Sequence, residues 1–185
     1  MIRLFAAIAL PGEIGEGLGL RQRGLADARW RPIEALHITL RFFGEVSEPL
    51  ADDLDLALGQ VRGEAMTLAL AGVGAFGEGA DIHAVWAGVR PDPALEQLAR
   101  RCESAARKAG CKPETRAWRP HVTLAYLRRP DPARVAAWIQ ANNLLASPPF
   151  LADAFGLYSS WRTDEGSEYR LERRYPLSPA RASGR

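Results

Sequence analysis

The feature that most constrains the fold of this chain is an order of predicted elements that occurs twice. A strand, a helix and two further strands are predicted over roughly 36–89, and the same order returns over 119–177. Each copy begins with a strand that reads His-x-Thr-Leu, first at His37 and again at His121. Repetition of one supersecondary unit indicates an internal duplication within a single domain.

The remaining elements follow from apolar spacing and from turn residues. An N-terminal buried strand is predicted where an apolar run ends at Pro11; the alternative, a signal peptide, lacks a clear cleavage site. Asp-Pro pairs predict the starts of two helices, at Asp92 and at Asp131, because aspartate caps a helix and proline suits its first position. The predicted strands cover 4–10, 36–43, 66–73, 82–89, 119–127, 150–158 and 169–177, and helices are predicted at 13–26, after Ser47, over 93–109 and after Asp131. The domain is expected to span 1–178, followed by a flexible tail over 179–185.

Two of the only three histidines in the 185 residues belong to the repeated motif. Alternate side chains of a strand share one face, so His37 and Thr39 are predicted to point one way, with Cα atoms about 6.7 Å apart. The same holds for His121 and Thr123. At this spacing, an imidazole N–H and a threonine hydroxyl can both donate hydrogen bonds to one oxyanion. The third histidine, His83, lacks this context and is interpreted as a structural or surface residue.

Two such strands facing each other across a cleft predict phosphodiester chemistry. One neutral imidazole can take a proton from the attacking oxygen, and the other, protonated, can give one to the leaving oxygen. The two threonines can donate to the non-bridging oxygens, whose negative charge grows in the transition state. No third ligand of sensible spacing accompanies the histidines, so no metal and no cofactor are expected.

The residues around the motifs favour an anionic partner. Four arginines and no acidic residue lie within 116–129. Arg41 and Phe43 share the predicted strand phase of His37, so Arg41 is expected to contact phosphate and Phe43 to stack on a base. A solvated basic edge is the alternative for Arg128, and a core position is the alternative for Phe43. The abundance of arginine is also explained by genome base composition.

The two cysteines do not form a metal motif. Cys102 lies on a predicted helix and Cys111 just past its end. Free thiols in a reducing compartment are therefore expected. No stretch is apolar enough to predict a membrane span, and we expect a cytoplasmic monomer.

The paired motifs and their flanks resemble the 2H phosphoesterase superfamily. Within it, the chain is most similar to the bacterial RNA 2′,3′-cyclic phosphodiesterases, also known as the 2′-5′ RNA ligase family. The resemblance covers nearly the whole chain in order. The matching segments are 3–8, 36–46, 85–89, 119–125, 157–160 and 175–177.

This resemblance implies an α+β, bilobal fold with two pseudo-symmetric antiparallel sheets, flanked by helices, around a central cleft. It implies hydrolysis of RNA 2′,3′-cyclic phosphate ends to 2′-phosphomonoesters without a metal. By carry-over, His37 is the proton donor to the leaving 3′ oxygen and His121 is the proton acceptor that activates water. Thr39 and Thr123 hold the phosphate.

One position departs from the pattern of the family. Family members often carry arginine five residues after the second histidine, where this chain has Tyr126. Tyr126 is therefore assigned to substrate binding, and Arg119 or Arg128 is expected to replace the missing phosphate contact.

Two alternative functions stay open from the sequence. The same acid and base serve reversible 2′-5′ RNA ligation, in which an RNA hydroxyl replaces water. A catalytically inactive module that binds RNA ends is the other alternative, although the intact motifs argue against it.

Overall fold

The computed structural model describes residues 1–26, 28–163 and 166–180. Ten strands and four α-helices are found in this part of the chain. The strands are β1 (Ile2–Ala9), β2 (Ala28–Trp30), β3 (His37–Val46), β4 (Met66–Leu68), β5 (Leu70–Phe76), β6 (Ala84–Val89), β7 (His121–Leu127), β8 (Phe150–Ala152), β9 (Ala154–Thr163) and β10 (Gly166–Pro176). The helices are α1 (Gly12–Gly19), α2 (Glu48–Gly59), α3 (Pro93–Lys108) and α4 (Pro132–Asn142).

Eight strands form one antiparallel sheet in the order β10-β9-β1-β3-β7-β6-β5, with β2 paired to β7. Its two halves meet where β3 and β7 pair through Ile38 and Val122, the residues that follow the two motif histidines. Strands β4 and β8 form a second, two-stranded antiparallel sheet. The α+β class with antiparallel sheets is thus confirmed, and the two halves of the large sheet are continuous through one residue pair.

The local signals explain most of the elements. The apolar N-terminal run forms β1, which lies between β9 and β3 in the sheet. The Asp92 side chain accepts from the Leu95 backbone N–H at 2.9 Å and caps α3. The chain leaves α3 through Gly110, whose φ of +101° suits glycine. The buried side of α3 packs toward β3 and α2 and closes one side of the core.

Two expectations are corrected by the structure, and one strand was not predicted. Helix α1 ends at Gly19 rather than at residue 26, because its four-glycine composition gives little helical stability and the chain turns toward β2. The predicted strand over 66–73 divides into β4 and β5 and continues to Phe76. Strand β2 had no predicted counterpart, since three residues carry too little periodicity to be recognised.

The structure also bears on the predictions of free thiols, of no membrane span and of a flexible tail. Both cysteines are free, with Cys102 buried on α3. None of the helices among the described residues is long and apolar enough to cross a membrane. The predicted tail over 179–185 lies mostly outside the described residues.

Candidate active site

The two motif histidines lie side by side where the halves of the large sheet meet. His37 begins β3 and His121 begins β7, one residue before the Ile38–Val122 pair. Ile38 and Val122 are fully buried, so the histidines and threonines occupy the opposite face. Thr39 lines the same cavity as His121 and Thr123, and it also lines the cavity of His37. The structure therefore brings the four predicted catalytic residues together.

These residues line a cleft made of two adjoining cavities. One, of about 530 Å³, contains His37, and the other, of about 550 Å³, contains His121 and Thr123. Thr39, Phe42 and Tyr126 line both cavities, which joins them into one cleft. The indole N–H of Trp118 donates to the Thr39 carbonyl at 3.0 Å and fixes the strand at this junction.

Both imidazoles are held by the same backbone contact. His37 Nδ1 lies 2.8 Å from the Ala35 carbonyl oxygen, and His121 Nδ1 lies 2.7 Å from the Arg119 carbonyl oxygen. A carbonyl only accepts, so Nδ1 carries the hydrogen in each ring and donates it. Nε2 is thereby left as the atom that can exchange a proton with a group in the cleft.

Aromatic rings hold each imidazole from the side. Phe5 and Tyr169 contact His37, at centroid distances of 4.8 and 5.2 Å. Phe76 contacts His121 edge-on at 4.7 Å, and Trp86 lies behind at 6.4 Å. These contacts restrict the orientation of both rings and remove water from around them.

Burial lowers the basicity of both histidines. It lowers the pKa of His37 from 6.5 to about 4; the hydrogen bond to Ala35 opposes this shift, and the charges of Arg31 and His121 add to it. Burial also lowers the pKa of His121, against the hydrogen bond to Arg119. At neutral pH both imidazoles are therefore neutral in the unliganded cleft.

In the His37 cavity, the positive charge comes from arginines that were not predicted as binding residues from the sequence. Arg3 on β1, Arg29 on β2 and Arg162 on β9 line the His37 cavity. Among the described residues no carboxylate lines this cavity. The guanidinium of Arg3 also lies 5.0 Å from the centre of the Phe42 ring. No local signal could have found this set, because its members come from three strands.

Arg31 is buried beside the same cavity, only 5% exposed. Its guanidinium lies 4.8 Å from the centre of the Tyr169 ring and 5.9 Å from that of Tyr126. Its Nη2 donates to the Ser167 carbonyl at 3.1 Å. Arg31 thus connects the half of the sheet that contains β7 with the half that contains β10.

The predicted shared face of Arg41 and Phe43 with His37 is corrected by an irregularity in β3. Thr39 pairs with Ala7 and Arg41 with Ala6, so Leu40 is an extra residue; Phe42 pairs with Phe5 and Gly44 with Leu4, so Phe43 is a second one, and the alternation of faces shifts twice. Phe42 consequently lines the cleft, whereas Phe43 packs against the core.

Arg41 is 9% exposed, and its guanidinium is occupied by the protein itself. It donates to the carboxylate of Glu103 and to the carbonyls of Phe42 and Lys112, and Glu114 lies 3.6 Å away. Arg41 lines the wall of the His121 cavity, but these contacts occupy its guanidinium and hold α3 and the loop after it against β3. Its contact with phosphate stays a prediction.

The other predicted binding residues differ in position. Arg119 is exposed and lines the His121 cavity, and Tyr126 lies between the two cavities. Arg128 is exposed beyond the end of β7 and lines neither cavity, so the structure does not bring it to the cleft. Arg116 lines the His121 cavity but is bonded to the carboxylate of Glu114.

His83 is exposed, as predicted, but it also lines the wall of the His121 cavity. Its ring stacks on Phe76 at 6.4 Å, and Phe76 in turn contacts His121. Within the described part of the chain no three histidine, cysteine or acidic side chains are grouped so that they could hold a metal ion.

Comparison with known proteins gives consistent matches. The family model of the 2′-5′ RNA ligase superfamily matches residues 20–164. The RNA 2′,3′-cyclic phosphodiesterase of Escherichia coli is 39% identical over 126 residues, which are 66% of this chain and 70% of the relative. A protein of the same name from Aeropyrum pernix is 38% identical over 96 residues, 51% of this chain and 54% of that relative.

The fold has matches among solved structures. The structure of Escherichia coli LigT in complex with 3′-AMP superposes with a TM-score of 0.76 at 32% identity, covering 95% of this chain and 98% of the other. A Thermus thermophilus protein, TT0787, superposes with a TM-score of 0.80 at 23% identity, covering 96% and 98%. The second match bears on the fold alone.

Proposed function

The chain belongs to the 2′-5′ RNA ligase superfamily, and from this premise we propose that it is an RNA 2′,3′-cyclic phosphodiesterase. It opens the cyclic phosphate at an RNA 3′ end and leaves a 2′-phosphomonoester and a free 3′ hydroxyl. The observation that carries the proposal is the pair of imidazoles in one cleft, each held through Nδ1 and each with Nε2 available.

The reaction uses the two imidazoles in opposite roles. His121 accepts a proton from a water molecule through Nε2, and the water oxygen forms a bond to phosphorus. The bond between phosphorus and the 3′ oxygen breaks, and His37 gives a proton to that oxygen. The proton gained by His121 and the one lost by His37 are exchanged with solvent before the next turnover.

The threonines and the arginines stabilise the negative charge. Thr39 and Thr123 donate hydroxyl hydrogens to the non-bridging oxygens, whose charge grows as water attacks. Arg3, Arg29 and Arg162 add positive charge around the His37 cavity, which favours an anionic substrate. All these groups are side chains, so we propose that the reaction requires no metal.

A donor role requires protonated His37, although its pKa is low. The negative charge of the substrate resolves this conflict. In the unliganded cleft His37 is neutral at pH 7, because burial disfavours the imidazolium. A phosphodiester anion beside the ring stabilises the imidazolium and raises the pKa of His37. Substrate binding is therefore accompanied by proton uptake.

The proposal is tested by turnover of a 2′,3′-cyclic mononucleotide in the presence of EDTA. We expect a 2′-phosphate product, and we expect His37→Ala and His121→Ala each to lower kcat by about 10²–10⁴-fold. Arg107→Ala, on the exposed side of α3, serves as the control. Strict dependence on an added metal, or full activity of His121→Ala, would contradict the proposal.

The two alternatives give different results in the same assay. Reversible ligation produces a 2′-5′ linkage when a 5′-hydroxyl RNA is supplied beside the cyclic end. Water is present at a far higher concentration than RNA hydroxyls, so hydrolysis is expected to dominate. An inactive binding module binds the cyclic end without turnover and with an affinity that does not depend on pH.

We also propose that the active unit is a cytoplasmic monomer. The four motif residues and the arginines of the cleft all come from one chain. Both thiols are free, which fits a reducing compartment. Sedimentation at the concentration used for turnover tests the monomer.

A further inference from the structure

A separate cavity of about 690 Å³ lies between the end of α1 and helix α4, and contains none of the motif residues. Three arginines line it, and no acidic residue does so in the described part of the chain. Arg21 and Arg23 come from the segment after α1, and Arg134 comes from the first turns of α4. The function proposed above makes no use of this cavity.

The arginines of this cavity have weak protein partners. Arg21 donates to the Gly17 carbonyl at 3.3 Å, and Arg134 lies 3.9 Å from the carboxylate of Asp131 with 70% of its side chain exposed. Arg23 is exposed and forms no ion pair with another described residue. As far as the described residues are concerned, their guanidinium donors therefore remain available to an anion, and guanidinium suits phosphate in particular.

Besides the arginines, the lining is apolar except for Asn142, whose amide donates to the Trp138 carbonyl at 2.8 Å. Trp138 lies at the base of the cavity and is 5% exposed, whereas Leu20 at its edge is 71% exposed. Ala137 and Ala141 are small and exposed, which leaves this wall open. An apolar surface bordered by arginines has the chemistry of a site for a nucleotide, whose base contacts the apolar side chains and whose phosphate pairs with guanidinium.

The same short segment joins this cavity to the catalytic cleft. Arg23 lines the cavity and Arg29 lines the cleft, and six residues of chain span about 20 Å at most. Gln22, between the arginines of the cavity, donates to the carbonyls of Arg31 and Leu124, which fixes the segment against β7. Trp30 contacts Trp138 across the segment at 6.0 Å, so the spacing between the two sites is rigid.

We propose that this cavity binds an upstream nucleotide of a single-stranded RNA whose 2′,3′-cyclic end occupies the cleft. The inference rests on the proposed function and narrows its substrate to oligonucleotides, with the backbone passing over β2 beside Arg29. Arg21, Arg23 and Arg134 pair with backbone phosphates, and the apolar wall receives a base.

The test compares two substrates that share one reacting end: uridine 2′,3′-cyclic phosphate and an octauridylate with the same cyclic end. The cavity variant is Arg23→Ala combined with Arg134→Ala, both exposed positions. We expect its KM for the octauridylate to rise about tenfold and its kinetics with the mononucleotide to stay unchanged. The slope of log KM against log salt is expected to fall by roughly 0.7 for each lost phosphate contact.

A matched control removes the same charge elsewhere. Arg107→Ala combined with Lys108→Ala, in the last turn of α3, is expected to leave both substrates unaffected. A second variant, Ala137→Glu, keeps the arginines and places a carboxylate in the cavity, and it is expected to weaken the octauridylate alone. Equal losses in the control and the cavity variants, or no loss in either, would overturn the proposal.

A binding measurement separates this proposal from the proposed function. The dissociation constant of the octauridylate is measured by fluorescence anisotropy for the same variants, without turnover. If the protein fails to hydrolyse either substrate, the proposed function is overturned. The anisotropy still supports RNA binding by this cavity if the cavity variants alone lose affinity, and overturns it if they do not.

Discussion

At the scale of single residues, the site depends on how two similar histidines are placed in different surroundings. Both donate Nδ1–H to the carbonyl two residues earlier, so both present Nε2. Their neighbours differ: Arg31 acts on His37, whereas Phe76 and Trp86 surround His121. The structure thus supplies a physical asymmetry that the identical sequence motifs lack.

The first prediction concerns the pH dependence of kcat/KM, which reports the unliganded enzyme. The proposed mechanism requires protonated His37 and neutral His121. The pKa of His37 is about 4 and that of His121 is below 6.5, so kcat/KM is expected to be highest between these values and to fall on both sides. The maximum of kcat is expected at higher pH than the maximum of kcat/KM, because a bound phosphodiester raises the pKa of both histidines. An alkaline limb of kcat/KM above pH 6.5 would be inconsistent with this account.

The second prediction concerns the hydroxyl of Thr39. Thr39→Val keeps the shape of the side chain and removes the donor, so kcat is expected to fall by about 10²-fold, as for other transition-state donors. Stability is expected to change little, because the side chain is only partly buried. Thr67→Val, at an exposed position of β4, is the matched control. Equal kinetics of the two variants would rule out the assigned role.

At the scale of elements, irregular strands determine which side chains reach the cleft. Two extra residues in β3 relative to β1 shift the alternation of its faces, so that Phe42 lines the cleft and the guanidinium of Arg41 contacts Glu103 on α3. On the other half, Gly74 of β5 lies beneath the ring of Trp86, which packs behind His121. Close packing between neighbouring strands thus supports the position of the His121 ring.

The third prediction follows from that packing. In Gly74→Ala the new Cβ would lie 2.3 Å from Trp86 Cζ2, so the indole must move and its contact with His121 is lost. Overpacking of this kind is expected to reduce the free energy of unfolding by about 1–3 kcal/mol and to lower kcat. Gly59→Ala, at the end of α2 with open space around it, is expected to leave both unchanged or slightly raise stability. Thermal unfolding and turnover of the two variants check the comparison.

At the scale of the whole molecule, the cleft exists because the two halves of the large sheet are held together around it. The direct pairing of β3 and β7 involves one residue pair. Arg31 adds a second connection, from the segment after β2 to Ser167 and Tyr169 on β10. The same guanidinium also disfavours the charged form of His37. Arg31 therefore couples the stability of the cleft to the protonation of His37.

The fourth prediction concerns Arg31→Met. Methionine keeps an unbranched apolar side chain similar in length to the aliphatic part of arginine, and it removes the guanidinium. The bond to Ser167 and the contacts with two tyrosine rings are lost, so stability is expected to fall by about 1–3 kcal/mol. Removal of a positive charge raises the pKa of His37, so the acidic limb of kcat/KM is expected to move to higher pH. Arg170→Met, at an exposed position of β10, is expected to change neither. An acidic limb that stays in place would contradict the assigned influence of Arg31.

The sequence by itself determined most of the elements and the shared face of each motif. Side chains alternate along any strand, so His37 and Thr39 could be placed on one face before the fold was known, and so could His121 and Thr123. The cap at Asp92 and the glycine after α3 were also readable, because capping depends on neighbours in the chain.

Only the tertiary structure decided which arginines and aromatic rings surround those groups. The shift in β3 arises from its pairing with β1, so the phase of Arg41 and Phe43 could not be read along β3 alone. Arg3, Arg29 and Arg162 meet because of strand order, a long-range property that local patterns do not encode. Local strand geometry therefore placed the motif side chains on one face, and long-range packing determined the charges and rings that surround them.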